Sequence, residues 1–471
     1  MAEPSEPDRL RYEDITITDP AVIRRAVGAA AVGNVTEWYD FGVYGYLATQ
    51  AIEPVFFSGL PPTAATIATF GIFAVSFLVR PFGGLFFGPL GDRIGRKRVL
   101  SLTVILMALG TFALGLIPSY NSIGIAAPML ALLARLVQGF STGGEYGSAM
   151  TFIAEYAPDK RRGYLGSWLE FGTLTGYALG ATISTVLTAV LPYDQLVTWG
   201  WRIPFLIALP IGGIGLYLRL RLEETPAFEK LVQSAERREG TPIGTEFRTV
   251  FVTYLPTMLL CMGLVLAWNV TNYMLTSYMP TFLTKTLPSH GVPGAGTTSS
   301  EVLQIVVLIV LMVVVTFLGR LSDRVGRRAV VVAGSAGLIV LSFPALVLIR
   351  MGNDGSTFLG LLIMGLTLVC FSSTMPSTLP ALFPTHIRAG GLSIAFNISV
   401  SLFGGTTSTV MGALVAATGD LNWPAYYLVA AGAIGLLSIW FTRESSGKPL
   451  RGSAPTVTSE QQARELVDRQ E

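Results

Sequence analysis

The chain has 471 residues, of which 51% are hydrophobic and only 13% charged, with a formal net charge of +2. Soluble domains carry about 25% charged residues, and a chain this apolar cannot hide its surface from water, which excludes a soluble globular protein. The small net charge gives no footprint for nucleic acid.

Residues 1–20 are polar and are expected to form a tail outside the bilayer. From there, twelve apolar stretches are each long enough, at about 20 residues, to cross roughly 30 Å of hydrocarbon. Their centres fall near Tyr44, Val75, Leu109, Ala134, Gly176, Ala208, Val265, Val310, Leu338, Leu366, Val400 and Gly432. The first follows Arg24 and Arg25 but is too long for a signal peptide and lacks a small-residue cleavage site. Six stretches fall in residues 21–221 and six in 250–443. Residues 222–249 carry Glu223, Glu224, Glu229, Lys230, Glu236, Arg237, Arg238 and Glu239 and are expected to be a linker between two domains. Residues 444–471 form a second polar tail, in which Ser459 and Gln462 resemble a capping box before a helix too short for a coiled coil.

Lys and Arg set the expected orientation, because they bias short loops toward the cytoplasm. With both termini cytoplasmic, the inner side holds Arg9, Arg11, Arg24, Arg25, Lys160 to Arg162 and Arg388, and the outer loops only Lys285 and Arg350.

GPLGDRIGRK at Gly88–Lys97 returns as GRLSDRVGRR at Gly319–Arg328, an offset of 231 residues. The chain is therefore built from two related halves, and a doubled membrane domain suggests a transporter that rocks about a midplane site. The positive-inside rule explains the arginines but not the repeated Asp and Gly. Gly88, Asp92, Arg93, Gly95, Arg96, Asp323, Arg324 and Arg327 are expected to form a gating latch, with Asp92 accepting from helix-end N–H groups and pairing with a nearby Arg.

Ionisable side chains inside spans cost about 2.5–3.5 kcal/mol each, so they face a cavity or a partner. Glu37 and Asp40 share a helical face with Tyr44 in the first span, Arg135, Gln138, Thr142 and Glu145 share one in the fourth, and the fifth adds Glu170. Glu37, Asp40, Arg135, Glu145 and Glu170 are expected to form a polar network in which a carboxylate takes the coupled proton. The alternative is a purely structural ion pair from Arg135 to Glu145 or Glu37.

For a substrate, Arg135 offers a bidentate clamp for one carboxylate, and Trp38, Tyr39, Tyr44, Trp268 and Tyr273 offer ring faces to an ammonium group. Gln138, Asn269 and Asn397 are further polar candidates. One clamp with aromatic walls suits a zwitterion, whereas a dicarboxylate would want two. Arg80 is placed toward the cytoplasmic end of the second span and Arg202 near the outer surface. Gly139, Gly143 and Gly147, and Gly172, Gly176 and Gly180, form small faces for close helix packing. Pro280, Pro376 and Pro380 mark bends.

Cys261 and Cys370 give no disulfide framework, and His290 and His386 have no metal-ligand spacing. Without a GxxxxGK[ST] phosphate loop, no cofactor is expected and the driving force is expected to be an ion gradient rather than ATP. No nucleophile constellation suggests an enzyme.

The doubled GxxxDRxGRK segment resembles the signature of the major facilitator superfamily. NVTEWYDFGVYGYL from Asn34, RPFGGLFFGPLGDRIGRK from Arg80, RLVQGFSTGGEYG from Arg135, WGWRIPF from Trp199, STLPALFPTHIR from Ser377 and PAYYL from Pro424 resemble its metabolite:proton symporters, most of all the proline/betaine transporters. The likeness runs from about residue 25 to 450. It implies twelve helices in two pseudo-symmetric six-helix bundles and proton symport of a small zwitterion such as proline or glycine betaine. It also implies a bacterial plasma membrane location and function as a monomer, with solute, protons and lipid as partners. A carboxylate metabolite such as α-ketoglutarate, shikimate or a citrate-like acid is the alternative substrate, and a non-transporting sensor the alternative role. Those relatives often carry a long C-terminal coiled coil, and the fewer than two heptads of this tail put osmotic sensing through that element in doubt.

Overall fold

A computed structural model describes residues 11–12, 15–94, 96–220, 253–292, 296–385 and 387–468. The expected linker at 222–249, Gly95 and His386 lie outside them. Twelve helical runs occupy the twelve apolar stretches: 20–56, 62–94, 96–116, 126–156, 162–190, 193–220, 255–289, 297–325, 327–350, 354–382, 388–418 and 423–440. They are numbered here as spans one to twelve.

Among the described residues, eight helices are long and apolar enough by themselves to cross a bilayer, or nine if the bent pair Tyr193–Gly200 and Arg202–Tyr217 is one span. Polarity and breaks separate the rest. Span one carries Glu37 and Asp40, and span four stops at Thr142 and restarts at Tyr146. Among the eight, span two has a one-residue turn at Val79 between Leu78 and Arg80, and span ten is interrupted between Ser372 and Met375, one residue before Pro376. In span seven Pro280 sits between the π-helical turns Met274–Tyr278 and Phe282–Thr286, so the helix is locally widened on both sides of it.

The surface is inverted relative to a soluble protein. Phe82, Phe317 and Trp440 face outward, while Arg80, Arg135, Arg162, Arg327 and Arg388 are among the largest fully buried side chains. Such a surface suits hydrocarbon, with the polar groups gathered where they have protein partners. Gly172, Gly176 and Gly180 of span five lie against the backbone of span one at Ala31, Val35 and Tyr39, where a Cβ would collide with a carbonyl oxygen. This is the close packing expected of the glycine stripe.

The chain ends meet. Thr16–Ile17 pairs in parallel with Thr456–Val457, forming strands β1 and β2. The short helix Glu460–Asp468 follows, capped by Ser459 Oγ, which accepts from Gln462 N at 3.4 Å. The Gln462 side chain reaches back one residue further than a capping box requires, accepting from Thr458 N at 3.1 Å. Between these elements the tail lies across the repeat-turn end of the molecule, where Arg162 donates to Lys448 O and Arg388 to Arg451 O.

Candidate functional site

Span one is buried almost continuously from Gly33 to Leu47, so its acids can persist only beside partners. Glu37 Oε1 lies 3.6 Å from Arg80 Nη2, with both side chains sealed from solvent. Arg80 opens the second segment of span two, and its guanidinium stands over the rings of Phe77 at 4.5 Å and Phe41 at 5.0 Å. Its expected place near a span end is therefore corrected: the break after Leu78 sets it deep inside the molecule. Asp40 Oδ2 accepts from Arg135 Nη1 at 2.5 Å, and the Arg135 guanidinium covers the Tyr44 ring at 4.2 Å. Each acid thus has its own arginine. The structural alternative paired Arg135 with Glu145 or Glu37, whereas its partner is Asp40.

Glu145 is buried in the bend of span four, between Thr142 and Tyr146. That bend defeats the periodicity that put Glu145 on one face with Arg135. Gln138 turns to span three, where it donates to Thr111 Oγ1 at 2.6 Å. Glu170 accepts from the Tyr146 hydroxyl and from Thr173 Oγ1.

Between the halves lies an aromatic cluster. Trp38 meets Tyr177 at 5.3 Å, Tyr146 at 6.0 Å and Tyr273 at 6.2 Å between ring centroids. Tyr146 meets Trp268 at 6.0 Å and stacks on Phe396 at 5.1 Å, and Tyr273 meets Phe77 at 5.0 Å. Spans one, two, four and five thus join spans seven and eleven around one set of ring faces. The Tyr273 hydroxyl makes no hydrogen bond. Trp38 donates to Asn34 Oδ1 and Trp268 to Ser372 Oγ, which fixes both indoles. Of the expected aromatics, Trp38, Trp268 and Tyr273 belong to this cluster. Tyr39 instead donates to Pro204 O and Tyr44 to Thr69 O.

Asn269 bonds back to Val265 O within its own helix. Asn397 crosses between halves, donating to Gly143 O at 2.6 Å as well as to Ser393 O at 2.8 Å. Arg80, Tyr146, Tyr177 and Phe396 are the members of the site that sequence reasoning passed over. A trace of Tyr146 was present in its place beside Glu145 after two glycines, where a helix can turn.

Side chains of the two halves meet at both ends. At the repeat-turn end, Asp323 Oδ1 and Oδ2 accept from the backbone N–H groups of Gly163 and Tyr164, each at 2.8 Å, and Arg327 Nη2 stands 3.6 Å from Asp323. An acid of the second repeat therefore caps the helix that begins span five in the first half. Arg324 is exposed, and the side chains of Asp92, Arg93 and Arg96 lie outside the described residues, as does any contact at Gly88. Arg388 pairs with Glu155 at 3.1 Å. At the far end Gln50 donates to Glu301, and Lys285 donates to Thr66 Oγ1 at 2.7 Å beside Glu53.

The sequence profile of the Major Facilitator Superfamily matches residues 38–400. The chain belongs to that superfamily. It is 46% identical over 465 residues to the proline/betaine transporter of Escherichia coli K12, covering 97% of this chain and 91% of that one. Identity and coverage are the same for the glycine betaine/proline/ectoine/pipecolic acid transporter OusA of Dickeya dadantii. The crystal structure of the proton:xylose symporter XylE bound to 6-bromo-6-deoxy-D-glucose superposes with a TM-score of 0.74 at 19% identity, over 92% of this chain and 98% of that one. That likeness shows a shared fold of two six-helix bundles. As a superfamily member the chain is a multi-pass membrane protein and not an enzyme.

Proposed function

We propose that the protein is a secondary active transporter that imports a small zwitterion, such as proline or glycine betaine, together with a proton by alternating access. The aromatic cluster carries this reading. Trp38, Tyr146, Tyr177, Trp268 and Tyr273 bring rings from both halves into one cluster, and ring faces attract a quaternary or secondary ammonium at about 0.5–2 kcal/mol each. Arg80 Nε and Nη2 make no hydrogen bonds, and the guanidinium reaches the cluster through Phe77. Arg80 stands 3.6 Å from Glu37 without a hydrogen bond to it and so keeps donors for the solute carboxylate, whereas Arg135 is hydrogen-bonded to Asp40. The relatives named for proline and betaine agree with this chemistry.

A dicarboxylate fits less well, because both buried arginines beside the cluster already face an acid. The coupled proton travels on the buried carboxylates. Residues 21–221 and 250–443 act as the two bundles in a bacterial plasma membrane, joined by 222–249 on the cytoplasmic side with both termini. The protein works as a monomer. The repeat turns form the cytoplasmic latch: Asp323 ties span eight to span five, and opening inward must release Gly163 and Tyr164.

Uptake of labelled proline, glycine betaine, α-ketoglutarate and shikimate into proteoliposomes, with and without an imposed pH gradient, tests the reading. Accumulation of proline or betaine only with the gradient supports it. Preference for either carboxylate metabolite contradicts it.

A further inference from the structure

Glu170 differs from Glu37 and Asp40 near the aromatic cluster, and among the described residues shares with Glu301 at the far end the lack of a cationic partner. Glu37 faces Arg80 and Asp40 faces Arg135, but among the described residues no Lys, Arg or His stands within ion-pair distance of Glu170. It is 2% exposed, at the ninth residue of span five. Its neighbours are hydroxyls from three helices. Tyr146 of span four donates to Oε1, Thr173 of its own helix donates to the same atom at 3.2 Å, and Ser372 approaches from span ten in the other half.

These hydroxyls lead to both tryptophans of the cluster. From the first half, Trp38 Nε1 donates to Asn34 Oδ1 at 3.0 Å, Asn34 Nδ2 donates to Thr173 Oγ1 at 2.6 Å, and Thr173 donates to Glu170. From the second half, Trp268 Nε1 donates to Ser372 Oγ at 2.9 Å, beside the same carboxyl. Tyr146 touches both indoles with its ring and Glu170 with its hydroxyl.

We infer that Glu170 carries the coupled proton, and that Tyr146 is the positioning residue that joins its protonation to the shape of the aromatic cluster. The inference rests on the proton symport proposed above. A proton placed on Glu37 or Asp40 would strand a buried arginine cation, since guanidinium does not give up its charge. A proton placed on Glu170 removes an isolated charge from a dry site. The cycle balances: water on one side gives a proton to a Glu170 oxygen, forming an O–H bond, and water on the other side takes it back. Release comes when spans five and ten part, because Ser372 then withdraws and water hydrates the carboxylate. The titratable groups that interact with Glu170 are Tyr146 of span four and Tyr273 of span seven, and the Glu37–Arg80 pair of spans one and two and Tyr177 of span five act on those tyrosines. No titratable group of span ten faces it in this set.

The test uses purified full-length protein in proteoliposomes with labelled proline and glycine betaine, measuring gradient-driven accumulation and solute counterflow from about pH 5 to pH 9. Glu170→Gln is expected to lower gradient-driven accumulation at least about tenfold and to flatten the pH dependence of counterflow. Tyr146→Phe removes a donor to the carboxyl, so its counterflow profile keeps its shape while its midpoint shifts from that of the wild type. If Glu170→Gln accumulates solute as the wild type does while Glu37→Gln or Asp40→Asn does not, the assignment is overturned and symport stands. A wild type that never responds to the gradient overturns both. Should Glu170→Gln show no counterflow at all, Tyr146→Phe decides, and an unmoved midpoint rejects the assignment.

Discussion

Asp40 and Arg135 are 95 residues apart in the chain, yet their side chains meet at 2.5 Å with almost no exposure to solvent. The pair joins span one to span four inside the first half. Removing one partner leaves the other charged, buried and alone, which costs about 3–5 kcal/mol. Asp40→Asn should therefore lower the thermal unfolding temperature of the purified protein sharply, and Asp40→Asn with Arg135→Gln should recover much of the loss. A double variant no more stable than the single one would show that the pair is not the interaction that matters.

Arg80 is read as the solute carboxylate's partner, and its planar fork is what lysine cannot reproduce. Arg80→Lys should raise the KM for proline about 10- to 100-fold, the range of a lost charge-assisted hydrogen bond. A KM within twofold of wild type would move the carboxylate site elsewhere.

Trp38 tests the aromatic reading. Trp38→Leu keeps bulk but removes the ring face, and glycine betaine affinity should fall about 2- to 30-fold, the factor that about 0.5–2 kcal/mol gives. Competition binding against labelled betaine measures it, and unchanged affinity would remove Trp38 from the solute's wall.

The latch prediction concerns Asp323. Asp323→Ala deletes two charge-assisted bonds to Gly163 N and Tyr164 N, while Asp323→Asn keeps one acceptor oxygen. Spin labels placed on the repeat-turn ends of spans five and eight should show a longer distance population for Ala than for Asn. Identical distributions for both variants and wild type would mean that the cap does not hold this end shut.

Glu444 anchors the tail. Burial opposes its charge, but the backbone N–H groups of Arg328, Ser446, Arg327 and Ser445 outweigh it and hold the carboxyl below the usual glutamate range. A lowered carboxyl stabilises the folded state fully above the ordinary glutamate value of about 4.3 and loses that contribution as pH falls through the lowered one. Protection factors for hydrogen exchange in residues 444–458, taken relative to the intrinsic rate at each pH, should fall on acidification toward about pH 3, and Glu444→Gln should show low protection at every pH. High protection in that variant would show that other contacts dock the tail.

Much of the architecture was legible before any coordinates, because hydrocarbon imposes long apolar runs and the repeat betrays the doubling. All twelve expected centres fall inside helical runs. The site was harder. Trp38, Trp268 and Tyr273 were legible because ring faces in a membrane interior have few uses. Tyr39 and Tyr44 carry the same signal and turn instead to carbonyls of spans six and two, a choice made by packing that no single-helix pattern contains. Arg80 and Tyr146 were missed for one reason: spans two and four break beside them, and a broken helix resets which face a residue presents. Glu170 was found by its type, but its lack of a cation emerges only when five helices are packed around it.

The central claim is that a zwitterion and a proton cross together. The most direct measurement is external pH in a lightly buffered suspension of proteoliposomes as proline or glycine betaine is added without an imposed gradient. The medium should turn alkaline as solute enters, and a protonophore should abolish the signal. Solute entry with no alkalinisation would contradict proton symport, and alkalinisation evoked by α-ketoglutarate but not by proline or betaine would contradict the zwitterion site.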